Sequence, residues 1–234
     1  MRYVCFDIET TGLHINDNHR LFEIGCVEIV DRQKTGRTFH YYCNPGRTLS
    51  KESKEICKIE DSFLIDKPSF GDICEEFIEF ITKNANGEIE KAILLAHNAK
   101  FDTNFINNEF QLIGQSNRLD DFTIIDTIKI VKKKFPGQPA NLDAVCTRLG
   151  VSLAVRGERG HGALLDSDIL ADAFIKLSQN DTDNELINFE SSEIIFFGFA
   201  KQKSSVRERN IYSVRHAEIA SHLAVLEYIK GETQ

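Results

Sequence analysis

Phe6-Asp7-Ile8-Glu9-Thr10-Thr11-Gly12 is the stretch from which the rest of the chain can be read. It closes an apolar run, Tyr3-Val4-Cys5-Phe6 and then Ile8, with the composition of a buried strand. Side chains alternate faces along a strand, so Asp7 and Glu9 point the same way. Two like charges side by side on a strand repel and cost stability. Either these carboxylates sit at a strand end and reach solvent, or a hard divalent cation neutralises them through their oxygens. The choice depends on further carboxylates downstream.

The composition narrows the classes. The 234 residues fit one ordinary domain with an appendage. Hydrophobic residues make up 41% and charged residues 27%, as in soluble globular proteins. Cys5, Cys26, Cys43, Cys57, Cys74 and Cys146 form no C-x-x-C pair and lie mostly in apolar runs, so reduced, buried thiols in a cytoplasmic protein are expected. Asp7 comes too early for a signal peptide, and no apolar run approaches membrane-spanning length. The net charge of −8 lacks the footprint of a tight, independent nucleic-acid binder. Such a chain acts on something else, or on nucleic acid that a partner delivers.

Beyond the first strand, Leu21 to Val30 and Thr38 to Cys43 read as two more strands in an antiparallel meander. Residues 47–67 read as irregular or weakly helical. Ser69 is a helix N-cap, with Phe70, Ile73, Cys74, Phe77, Phe80 and Ile81 at helical spacing. Ala92 to Ala96 and Thr123 to Asp126 are short apolar strands, each followed by a helix. Asn141 opens a further short helix closed by Gly150, and Gly157, Gly160 and Gly162 punctuate a loop around His161. A last domain helix runs from Ala163 to about Leu177. This order gives an α/β domain with a mixed five-stranded sheet flanked by helices over residues 1–180.

The composition then shifts. Asp181, Asp183, Glu185, Glu190 and Glu193 are followed by Lys201, Lys203, Arg207, Arg209 and Arg215, which reads as a tether over 181–210. Residues 211–234 form a tail in which Ile219, Leu223 and Leu226 mark the apolar side of an amphipathic helix.

Three downstream residues bear on the acidic pair. Asp102 falls where a strand hands over to a helix, a common place for ligands in α/β sheets. Asp166 shares a helix side with Leu170 and Ala173, so it faces inward and needs a partner. His161 lies too far round an ideal helix to share that face. It either swings in from the glycine-rich loop or stays on the surface.

Together, Phe6-Asp7-Ile8-Glu9-Thr10-Thr11-Gly12, His97-Asn98-Ala99-Lys100-Phe101-Asp102 and His161-Gly162-Ala163-Leu164-Leu165-Asp166 resemble the proofreading-type DEDDh (DnaQ-like) exonucleases of the ribonuclease H-like superfamily. Within them, Glu23-Ile24-Gly25, Asp66-Lys67-Pro68, Phe135-Pro136-Gly137 and Asn141-Leu142-Asp143-Ala144 are most like the epsilon subunits of bacterial DNA polymerase III. The resemblance implies a ribonuclease H-like fold and 3′-5′ exonuclease activity that proofreads DNA replication. It implies two divalent ions, Mg²⁺ or Mn²⁺, held by Asp7, Glu9, Asp102 and Asp166, with His161 as general base. Thr10, Thr11, Leu13, Glu52, Cys57, His97 and Asn98 are implied to lie along the substrate, a single-stranded or mispaired DNA 3′ end.

It also implies a tail that binds the polymerase III alpha subunit, a small accessory subunit as a further partner, and a place in a bacterial, nucleoid-associated replisome. Leu186 and Phe189, three apart in a polar segment, resemble peptides that dock on a sliding clamp. One departure stands out. Relatives usually carry His-Gly-Ile shortly before the Asp-Lys-Pro stretch, where this chain has Cys57-Lys58-Ile59. An RNA-directed member of the family, such as ribonuclease T or an oligoribonuclease, would keep all five residues. A mainly structural polymerase-stabilising subunit would not need the full set, and the tail and the His97-Asn98 segment argue against a metal-dependent phosphatase on small molecules.

Overall fold

The computed structural model describes residues 1–116, 118–179, 181, 182 and 185. Five strands form one sheet: β1 (Arg2–Thr10), β2 (Leu21–Val30), β3 (Gln33–Tyr42), β4 (Ile93–Ala96) and β5 (Ile124–Asp126), in the order β3-β2-β1-β4-β5. The first three are an antiparallel meander, and β4 and β5 join β1 in parallel. Parallel neighbours need crossover connections. Helices α1 (Lys51–Cys57), α2 (Asp61–Leu64) and α3 (Phe70–Thr82) lie between β3 and β4, and α4 (Ala99–Leu112) lies between β4 and β5. After β5 come α5 (Thr127–Lys134), α6 (Leu142–Leu149), α7 (Ala154–Arg159) and α8 (Ala163–Leu177). The mixed, helix-flanked sheet expected from the sequence is present.

Strand alternation divides the interior in two. Val4, Phe6 and Ile8 enter a core with Phe70, Phe77, Phe105 and Phe110. Tyr3 and Cys5 enter the other core, with Ile130, Leu170 and Phe174. Each fully buried large apolar side chain stabilises by about 1.5–3 kcal/mol. Asp7 and Glu9 continue the row of Tyr3 and Cys5 beyond the apolar core, so they share the sheet face that α8 covers. That helix lies close. A Cβ on Gly25 of β2 would fall 2.2 Å from the backbone nitrogen of Leu164, and Ser167 Oγ donates to the Gly25 carbonyl at 2.9 Å.

Several local expectations change. Residues 47–67 contain two ordered helices, because Ser50 caps α1 through the Ser53 amide at 3.1 Å. The apolar pattern there is short because α1 buries only Cys57. The edge strand β3 starts at Gln33, not at Thr38, since its first residues are exposed and carry no apolar alternation. The glycine-punctuated stretch includes the helix α7, with Gly157 inside it, and turns at Gly160 (φ 84°). All six cysteines are free and buried. No helix among the described residues is long and apolar enough to cross a membrane.

The tail and the Leu186–Phe189 segment lie outside the described residues. So does the tether, except for Asp181, Thr182 and Glu185. Asp181 is tied to the domain: Arg32 donates to its carbonyl, and Lys134 pairs with its carboxylate.

Candidate active site

Four carboxylates reach one end of the sheet from three elements. Asp7 and Glu9 come from the end of β1. Asp102 lies in the first turn of α4, buried, and accepts from the Ile8 backbone N–H as well as from its own. That amide lies past the last β1–β4 pair, Cys5 with Leu95, where a carboxylate replaces the missing strand partner. Asp166 lies in the first turn of α8, also buried.

His161 sits just before Gly162, the N-cap of α8, and its amide donates to the Ile56 carbonyl at 3.1 Å. Its Nδ1 is 3.2 Å from Asp166 Oδ2. Ligand atoms of Glu9, His161 and Asp166 all lie within 4.8 Å of one another. The loop residue therefore does turn toward the carboxylates, from off the helix face.

The electrostatics are those of a crowded acidic site. Burial pushes the Asp7 carboxyl well above its ordinary range, and Asp102, Glu9, Asp166 and Glu23 push it further. Burial likewise raises Glu9 to about 7, against a hydrogen bond from the Cys57 thiol and with the push of Glu23 and Asp166. Asp102 is raised by burial, against its backbone hydrogen bonds. The His161 imidazole is raised by its hydrogen bond to Asp166, opposed by burial.

Asp166 Oδ1 is buried with no hydrogen-bond partner. An unpartnered carboxylate oxygen beside other carboxylates fits a hard divalent cation, which binds oxygen and removes the repulsion.

The RNase_T family, described as exonuclease, matches residues 4–174. The DNA polymerase III subunit epsilon of Buchnera aphidicola subsp. Acyrthosiphon pisum is 34% identical over 99% of this chain and 96% of its own.

The chain belongs to the exonuclease family.

The polymerase III subunit epsilon of Rickettsia conorii is 39% identical to this exonuclease over 76% of the chain and 74% of its own length. Among solved structures, the nuclease domain of 3′hExo, a DEDDh family member bound to rAMP, has the same fold. Its TM-score is 0.63 at 18% identity, over 77% of this chain and 92% of that one.

The other residues implied to line the substrate fall into two groups. Leu13 is exposed and, with His14, Ile15, Phe101, Asn104 and Phe105, lines a cavity of ≈ 460 Å³. Asn98 is exposed at φ 86°, its amide held by Asp126 Oδ1 at 3.1 Å. Glu52 is exposed in the first turn of α1.

The second group faces inward. The ring nitrogens of His97 bond Thr127 Oγ1 at 2.8 Å and the Ala140 carbonyl at 2.7 Å, and burial lowers its pKa. His97 therefore braces the β4–α4 turn and is not free to meet substrate. Thr10 Oγ1 donates to the Gly12 carbonyl, and Thr11 Oγ1 is taken up by His19 and the Arg20 amide. Their backbones are engaged too: the Thr11 N–H donates to the Arg20 carbonyl, the Thr11 carbonyl accepts from the Ser50 amide, and the Thr10 carbonyl accepts from Ser53 Oγ, so both residues hold the turn together.

Cys57 is buried and its thiol bonds Glu9, so the residue in the usual histidine position touches a carboxylate of the site.

Two residues of this exonuclease were not legible as site residues. Glu23 lies opposite Glu9 in the β1–β2 register. Its place in Glu23-Ile24-Gly25 marked the family but gave no role. Arg156 reaches Asp166 at 2.9 Å from a stretch read as loop, and no spacing rule signals such a contact.

Proposed function

We propose that this 3′-5′ exonuclease proofreads DNA replication, removing nucleoside 5′-monophosphates from single-stranded or mispaired 3′ ends. The observation that carries this reading is the convergence of Asp7, Glu9, Asp102 and Asp166 with His161 at one end of the sheet. Asp7, Glu9, Asp102 and Asp166 would hold two divalent ions, Mg²⁺ or Mn²⁺, which supply Lewis-acid stabilisation of phosphate charge and a more acidic water.

His161 takes the proton of the attacking water on its imidazole. It is suited to this by a side chain 41% exposed and by the imidazole itself, the group whose unperturbed titration lies nearest neutrality. Asp166 orients the ring through Nδ1 and stabilises the imidazolium. The cavity between Leu13 and Phe101 has the size of a small-molecule site and would take the terminal nucleoside. A mispaired end unpairs at lower cost, so it enters more often without any reading of its base.

Association with polymerase III alpha through residues 211–234 is supported by the alignment with the Buchnera epsilon subunit, which runs over 99% of the chain. Tethering to a DNA-bound polymerase replaces intrinsic affinity with effective concentration, which an acidic domain needs. Leu186 and Phe189 would contact the sliding clamp, and a small accessory subunit would join the replisome assembly.

The test is digestion of a 3′-mispaired DNA hairpin with Mg²⁺ by wild type and Asp7→Ala, beside a matched RNA oligomer. Release of deoxynucleoside 5′-monophosphates by wild type alone is expected. Faster digestion of the RNA would move the chain to the RNA-directed branch of the family.

A further inference from the structure

Arg156 is the one guanidinium that touches both Asp166 and His161 among the described residues. Its Nη2 lies 2.9 Å from Asp166 Oδ2 and 2.7 Å from His161 Nδ1, and its Nη1 pairs with Asp143. The side chain is 11% exposed, and its Nε has no hydrogen-bond partner. Asp166 is thus divided: Oδ2 carries a cation and Oδ1 carries nothing.

A guanidinium stays charged at any working pH. A buried carboxylate among Asp7 and Glu9 needs a positive neighbour, and before a metal arrives Arg156 is that neighbour. A divalent ion on Asp166 would then sit beside a fixed positive charge, and the two repel. The same guanidinium competes with Asp166 for His161: Nδ1 either accepts from Arg156 or gives its N–H to Asp166, and cannot do both at once.

The geometry supplies an exit. Asp143 on α6 already holds Nη1, and its side chain is 60% exposed, so it can keep the guanidinium after Asp166 lets go. Helix α7 is six residues long with Gly157 inside it, which makes it a weak helix able to shift.

We infer that Arg156 is a built-in counter-cation: it neutralises Asp166 and restrains His161 at rest, and a divalent ion must displace it toward Asp143 to load the site. This rests on the proposed metal site. Arg156 acts through Asp166 and His161 and is a positioning residue. The arrangement keeps the acidic cluster folded without metal, at the expense of metal affinity.

The test is calorimetric titration of the full chain with Mn²⁺, with thermal melting in chelator and in saturating Mn²⁺. Arg156→Gln should bind Mn²⁺ about three- to tenfold more tightly, the scale of coupling between contacting groups. Its metal-free melting point should fall by roughly 2–8 °C while the metal-loaded one stays level. Arg156→Lys should lie between the two. Asp143→Asn, which removes the exit, should weaken Mn²⁺ binding about two- to threefold.

Equal or weaker binding by Arg156→Gln, or unchanged metal-free melting, overturns the inference. If Arg156→Gln does not fold, Asp143→Asn decides alone, and unchanged or tighter binding there overturns it. Asp7→Ala separates the two levels. If it loses Mn²⁺ while Arg156→Gln matches wild type, only the counter-cation role fails. If Asp7→Ala binds as wild type does, the metal site itself is misplaced and the inference falls with it.

Discussion

Glu9 and Glu23 face each other directly across β1 and β2 in the antiparallel register. Glu23 Oε1 bonds His40 Nε2 at 2.8 Å, while its Oε2 is buried without a partner. A like-charged pair in register is unfavourable, and here it helps hold the Glu9 carboxyl near 7.

The first prediction follows from that value. Folded Glu9 holds its proton up to about 7, whereas the unfolded group releases it at about 4.3. Stabilisation from this group is therefore complete below the unfolded value and is lost as pH rises through about 7. In chelator the melting point should fall between pH 5 and pH 8, and Glu9→Gln should flatten that fall. Saturating Mn²⁺ should restore stability at pH 8. A flat wild-type profile in chelator would show that Glu9 is ionised at rest.

Catalysis should be lost almost completely in Asp7→Ala, Glu9→Ala, Asp102→Ala and Asp166→Ala, with the fold retained. For Asp7→Ala, removing one of several crowded charges should leave metal-free stability level or higher. Circular dichroism melting and single-nucleotide release assays together check this. Wild-type turnover in Asp7→Ala would refute the two-ion site.

His161→Gln should keep metal binding largely intact and lower turnover by roughly 10²–10⁴-fold, the scale of a general base. The ring works deprotonated, and its hydrogen bond to Asp166 raises its pKa above the ordinary value. The acid limb of kcat should accordingly sit on the neutral side of an ordinary histidine and vanish in the variant. A rate independent of pH across that range, with chemistry limiting, would place the base elsewhere.

Cutting the chain after residue 180 should preserve hydrolysis of single-stranded oligomers and abolish co-purification with the polymerase. Among the described residues, the two large apolar clusters end at Leu177. A fragment that aggregates, or melts far below the full chain, would mean that the tail completes the domain.

The sequence revealed those parts of the site that a period or a boundary announces. Asp7 and Glu9 stand two apart on a strand, Asp102 opens a helix after a strand, and Asp166 shares a face with Leu170. Other features depend on where a side chain turns once packed, and no period encodes that. His97 stands next to Asn98 in a motif implied to meet substrate, yet its ring turns back to Thr127 and Ala140. Ser50 caps α1 by accepting from the Ser53 amide, in a stretch too polar to show a helical stripe. Arg156 comes from a helix that its internal glycine concealed.

Gly25 gives the site a mechanical tolerance. The close approach of β2 to Leu164 fixes how far α8 stands from the sheet, and hence the gap across which Asp166 meets Asp7 and Glu9. Any side chain at position 25 would act as a shim, prising Asp166 and its helix away from β1 and loosening the second core with it, since Leu170 and Phe174 of α8 belong to that core. The damage falls first where the helix touches the strand, two residues before Asp166. In a cell it would register as copying errors accumulating over generations.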